Sequence, residues 1–408
     1  MNQAPLNYLQ RYVFKQLATC RETAMFNLTK MYRLRKGIDI LRLSKALETA
    51  AGCHQSLKTV FHRFPDGEIV QMLALDPDDL SCDIVRVSEQ KLLAFRSSYV
   101  KHFDLFDQGL LDAMIFDCGK NAYLLSNFHH LVADGYSFPV ILHDARRVWN
   151  GEAVEEDNYY AVLARRAARA QLPVSVAARN LMNEILRNGE FATLPGNDLN
   201  ADSRYGVSVT SLELPGDFEE KLASLKVTKH HFFLAATALA LSKITGSDNV
   251  EVDWVFHGRL SKDEARTCGP FMVDLPFPLT DIASKSASEV LYETKRQTFF
   301  GIKNAHAITN TDNDPLGGRR MTFIYQAEWG DLMSEGPVDP EGPFGWAIEE
   351  TVPLRPPQIE AENPFNVNIM EKRSGTRLVL EYDAGRYLPS TVARFAEHFK
   401  ESAAWLYG

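Results

Sequence analysis

Two hydrophobic patterns alternate along the chain. Short apolar runs of strand length, such as Ala122-Tyr123-Leu124-Leu125, sit between longer segments whose apolar residues return every three or four positions. Leu41 to Ala51 shows the second pattern, with Leu43, Ala46, Leu47 and Ala50 on one predicted helical face. Upstream, the pattern predicts a helix from Leu6 to Leu17 and a strand from Met25 to Leu34. Downstream, strands are expected at Thr59 to His62 and Ile69 to Leu73, with Asp66-Gly67 as their hairpin turn. Tyr159 to Leu186 reads as helical, broken by Pro173.

Residues 189–204 are rich in Gly, Pro, Asn and Asp, the composition of a connection. Beyond them the patterns predict a strand from Val207 to Leu214 and helices from Asp217 to Leu225 and His231 to Ile244. Further strands are expected at Val250 to Phe256, Arg320 to Gln326, Phe365 to Glu371 and Arg377 to Asp383, and a last helix at Ser390 to Tyr407. Strands and helices alternate in both halves, which predicts an α/β protein of two lobes, 1–188 and 205–408, joined by 189–204.

Composition narrows the partners. The 408 residues are 45% hydrophobic and 24% charged, as in a soluble globular protein large enough for two cores. A net charge of -9 provides no basic field for nucleic acid or an anionic membrane. The five cysteines are scattered singly, with no zinc-ligand spacing, which fits reduced thiols and no metal site. Neither a signal peptide nor an apolar run of membrane-spanning length is present, so a cytoplasmic protein is expected.

Candidate chemistry gathers in Asn127-Phe128-His129-His130-Leu131-Val132-Ala133-Asp134-Gly135-Tyr136-Ser137. An apolar strand precedes it, and Ser137, read as an N-cap with Pro139 in the first turn, opens an amphipathic helix. A strand–loop–helix junction of this kind presents a histidine on rigid supports. The chain has no GxSxG elbow and no phosphate-binding loop, which turns the reading away from acyl-serine hydrolysis and nucleotide chemistry. His230-His231 lacks a following Asp-Gly and reads as a helix start or loop.

The run matches the HHxxxDG signature, and the chain resembles the condensation domains of nonribosomal peptide synthetases. Further stretches are similar to that family's blocks in order: His54 to Phe61, His102-Phe103-Asp104-Leu105, His257-Gly258-Arg259, Gly269 to Pro276, Phe323 to Gln326 and Leu380 to Asp383. Lys58 stands where the family usually has Arg, and Asp274 where it usually has Asn. Leu316-Gly317-Gly318 lacks the serine that would accept phosphopantetheine in a carrier domain.

The resemblance implies two chloramphenicol-acetyltransferase-like lobes in a V-shaped pseudo-dimer, with the active site at their junction. It implies a monomeric acyltransferase, expected to be free-standing with an excised first domain as the alternative, that condenses a carrier-tethered acyl or peptidyl thioester with an amine. The alternatives are an ester-forming or chain-releasing enzyme acting on a free alcohol or amine, and a non-catalytic domain that recruits a partner. The phosphopantetheine arm of a partner carrier protein would deliver the donor, with no cofactor intrinsic to the chain. His130 is the implied catalytic residue, removing a proton from the nucleophile or positioning it. Gly135 would offer its N–H to the thioester carbonyl or merely permit a tight turn. His129, Asp134 and Arg259 become structural at the site, with an Asp134–Arg259 salt bridge expected. No residue is assigned to substrate binding.

Overall fold

The computed structural model describes residues 3–18, 23–196, 203–308, 321–326, 332, 336–354, 363–372 and 375–408. By its internal contacts the chain divides into two units. The first comprises Met1–Ala168, Arg259–Met272 and Trp329–Pro357; the second comprises Arg169–Gly258, Val273–Glu328 and Gln358–Gly408.

The first unit is built on a six-stranded sheet in the order Gly336–Pro337, Ile348–Val352, Asn27–Leu34, Ala122–His129, Leu111–Asp117 and Cys82–Arg86. The motif strand, Ala122–His129, is interior and antiparallel to both neighbours. Its last six residues are all buried, which is why the segment reads as an apolar run rather than an alternation. The motif helix, Ser137–Trp149, buries Ile141, Leu142 and Ala145 and packs on the helix Ile40–Gly52. That helix buries Leu43, Ala46, Leu47 and Ala50, the four residues of the predicted face. A smaller antiparallel sheet joins Gln3–Pro5, Ile69–Leu73 and Thr59–Arg63, with Gly67 at φ +93 in the expected hairpin turn.

The second unit carries another six-stranded sheet, ordered Val273–Leu279, Val250–Phe256, Met321–Gln326, Phe365–Lys372, Gly375–Asp383 and Tyr205–Leu212. Its two central ladders, those of Met321–Gln326 with its neighbours, are parallel, and the rest are antiparallel. The helices Lys229–Thr245 and Pro389–Tyr407 pack on each other in this unit. Phe232 to Leu241 are buried on every side of the first of them, so this helix has no polar face. His231 closes its capping box with Thr228, which places the second histidine pair at a helix start.

The grouping of the chain differs from a single division at 189–204, of which 197–202 lie outside the described residues. Strand Ile348–Val352 pairs with Asn27–Leu34, and segment 259–272 hydrogen-bonds to Asp134 and Asp157, so both later segments belong with the first unit. Residues 316–320 and Trp329 also fall outside the described residues. Of the cysteines, Cys53, Cys82, Cys118 and Cys268 are free thiols, while Cys20 is not described.

Candidate active site

The loop between motif strand and motif helix is pinned from several sides, all within the first unit. His130 N–H bonds to the Phe26 carbonyl (2.9 Å), extending the sheet ladder one residue past the strand. The His129 carbonyl accepts the N–H of Val132 (3.0 Å) and Ala133 (3.3 Å), turning the chain. The wholly buried Gln10 donates to the Leu131 carbonyl (2.9 Å).

His129 and His130 are both buried, at 1% and 8% exposure. Burial, and then the neighbouring His130, push the His129 pKa down to about 3. Its Nδ1 accepts the Leu131 N–H (3.2 Å), so the proton of the neutral ring sits on Nε2. Burial also lowers the pKa of His130, against the pull of the Asp134 carboxylate and the Ala133 backbone. His130 is therefore a neutral imidazole near pH 7, and its buried Nδ1 has no hydrogen-bond partner among the described residues. A neutral ring is the protonation state that proton acceptance requires.

The Asp134 carboxylate is engaged on both oxygens. Its Oδ1 accepts from Tyr136 N–H (3.1 Å), Ser137 Oγ (3.0 Å) and Arg259 Nη2 (3.1 Å). Its Oδ2 accepts from Arg259 Nη1 (2.8 Å), Phe271 N–H (2.9 Å) and Met272 N–H (3.1 Å). Burial alone would raise the Asp134 pKa; Arg259, helped by the Phe271 and Ser137 donors, outweighs it and holds the carboxyl below its ordinary range. The salt bridge expected from the sequence is thus present, bidentate, with both side chains 1% exposed. Arg259 also donates to the carbonyls of Thr267 (3.3 Å) and Gly269 (3.1 Å), and its guanidinium lies 4.5 Å from the Tyr136 ring centre.

Gly135 follows this anchored aspartate. Its N–H makes no hydrogen bond to a described residue, and it is absent from the positive-φ glycines. A left-handed turn therefore does not explain glycine here. Among the described residues no group of three or more His, Cys, Asp or Glu could hold a metal.

Two features were not legible in the sequence. Ser137 is not the N-cap: Tyr136 holds that place, and Ser137 is the first helical residue. The Ser137 hydroxyl accepts the Asp134 and Gly269 N–H groups (3.0 and 3.3 Å) and donates toward Asp134 Oδ1, so it joins the motif loop to segment 259–272. Phe271 and Met272 act through backbone N–H groups, which carry no side-chain signal. Gly269 gave a hint, because a Cβ there would stand 2.7 Å from the Tyr159 ring.

Comparison with known proteins places this site in a family. The Condensation domain model matches residues 1–303. The chain belongs to the condensation-domain family. Surfactin synthase subunit 1 of Bacillus subtilis (strain 168) is 24% identical over 420 residues, a match covering 96% of this chain and 11% of that protein. This chain thus spans about a tenth of the length of that relative. Its fold matches the condensation domain of the monacolin K polyketide synthase MokA at TM-score 0.78, 16% identity and coverage of 100% and 98%. It also matches a structure described as the molecular basis for condensation domain-mediated chain release from the enacyloxin polyketide synthase, at TM-score 0.74, 17% identity and coverage of 99% and 83%. Mixed α/β architecture in two acetyltransferase-like units is common to these folds. No helix among the described residues is long and apolar enough to cross a membrane.

Proposed function

We propose that this domain joins an acyl or peptidyl thioester, carried on the phosphopantetheine arm of a carrier protein, to an amine, forming an amide in nonribosomal peptide biosynthesis. The observation that carries the reading is His130, buried and held neutral in a loop where the Gly135 N–H makes no hydrogen bond to a described residue.

The acceptor amine attacks the thioester carbonyl, and the C–N bond forms as the carbonyl becomes an oxyanion. The Gly135 N–H stabilises that oxyanion, and His130 accepts the hydrogen bond and then the proton of the attacking nitrogen. Collapse breaks the C–S bond, and the proton passes to the departing thiolate. His129, with a pKa of about 3 and Nδ1 already engaged, stays out of the proton transfer. Asp134 and Arg259 hold the loop in place.

A second reading is favoured by the match to a chain-releasing condensation domain. In it the same site uses a free alcohol or amine, and an alcohol would give an ester. Loaded carrier protein offered with a panel of free and carrier-bound amines and alcohols, with product followed by mass spectrometry, separates the two. Product from wild type should fall about 10²–10⁴-fold in His130→Ala. Full activity in that variant would remove His130 from the mechanism, and no turnover with any tethered donor would favour a partner-recruiting domain.

A further inference from the structure

Segment 259–272 carries both Arg259 and the Phe271 N–H, so its placement fixes Asp134 from two directions. Helix Tyr159–Ala170, whose residues up to Ala168 belong to the same unit, holds that segment along its length. Ahead of the helix, Asp157 accepts the Cys268 N–H (3.1 Å). Further along, Arg165 pairs with Asp263, and Arg166 Nε lies 3.4 Å from Glu264 Oε1. The two ion pairs differ in burial. Arg165 and Asp263 are 46% and 48% exposed, whereas Arg166 and Glu264 are 18% and 2% exposed.

The buried pair also reaches the residues that grip Asp134. Glu264 Oε2 accepts the Leu260 N–H (2.6 Å), one residue beyond Arg259. The Arg166 guanidinium stands 4.2 Å from the Phe271 ring centre, and that of Arg259 stands 5.0 Å from the same ring. Glu264 therefore fixes the backbone next to Arg259, while Arg166 fixes the ring next to the Phe271 N–H.

We propose that Arg166 and Glu264 are a positioning pair for the acyl transfer: through Arg259 and Phe271 they set Asp134, and through Asp134 the aim of Gly135 N–H and His130. The inference rests on the acyl-transfer reading above. Neither residue touches the reacting atoms, so their loss acts on geometry, and small misplacements near a reacting centre cost up to about a hundredfold in rate.

The test compares Glu264→Gln, Arg166→Lys and the control Arg165→Met in the full chain, using the wild-type carrier-linked reaction. Glu264→Gln keeps the shape and an amide oxygen for Leu260 N–H but removes the charge. Arg166→Lys keeps the charge but loses the planar stack on Phe271. Each is expected to lower kcat about ten- to a hundredfold while acceptor KM stays within about twofold. Arg165→Met, at an exposed pair, should match wild type. Glu264→Asp should recover part of the loss, as a shorter carboxylate still pairs with Arg166. A folded Glu264→Gln or Arg166→Lys with wild-type kcat would overturn the pair's role and leave the acyl-transfer reading standing. Equal losses in Arg165→Met would show that helix docking in general, and not this pair, matters. Should Glu264→Gln fail to fold, Arg166→Lys alone decides. Wild-type protein inactive with every donor would instead defeat the reading beneath.

Discussion

Burial acts in opposite directions on His130 and Asp134 in the HHxxxDG loop. A desolvated imidazole loses its charged form, so His130 is neutral over a wider range of pH than a free histidine. Its NMR titration midpoint, assigned by the signal missing in His130→Ala, should lie below the ordinary 6.5. A midpoint at or above 6.5 would contradict the burial. Asp134 keeps its charge despite equal burial, because six donors surround its two oxygens. Asp134→Asn strands the Arg259 guanidinium and should cost about 3–5 kcal/mol in urea unfolding at neutral pH. Because the folded pKa is depressed below 3.8, the carboxylate's contribution is complete above the unfolded value and lost as pH falls through the folded one. The gap between wild type and Asp134→Asn should therefore narrow as pH drops below about 5. A gap independent of pH would mean that shape, not charge, was lost.

At the scale of elements, legibility followed how far local pattern and tertiary role agreed. Helix Ile40–Gly52 has one buried face, and its four predicted residues line it. Strand Val250–Phe256 was bounded to the residue because Gly246-Ser247-Asp248 precedes it and His257-Gly258 follows it. Val273–Leu279 was not legible as a strand, since Pro276 and Pro278 each remove a ladder donor. It is tolerated because, among the described residues, this strand is the sheet's edge and pairs only with Val250–Phe256. Ser137 misled for a related reason. Serine before a helix reads as a cap, but here its hydroxyl is taken by Asp134 and by Gly269, 132 residues away. The Asp134–Arg259 pair was legible from the family resemblance, whereas the six-donor cage around Asp134 uses backbone groups that no residue type announces.

At the scale of the molecule, alternation of strands and helices predicts two units but cannot say which late segments return to the first. Strand Asn27–Leu34 needs Ile348–Val352 on one side, and Asp134 needs Arg259, Phe271 and Met272. A fragment of residues 1–188 would lack all of these. It would expose one edge of Asn27–Leu34 and leave the Asp134 carboxylate without four of its six donors. An unpaired strand edge invites aggregation, and a buried charge without its partner costs several kcal/mol, comparable with the whole stability of a domain. Fragment 1–188 expressed alone is therefore expected to show no cooperative thermal transition and to aggregate, whereas the full chain unfolds cooperatively. A soluble 1–188 with a sharp melting transition would mean that the first unit folds without its returning segments. The site loop would then owe its shape to the strand and helix that flank it rather than to Arg259.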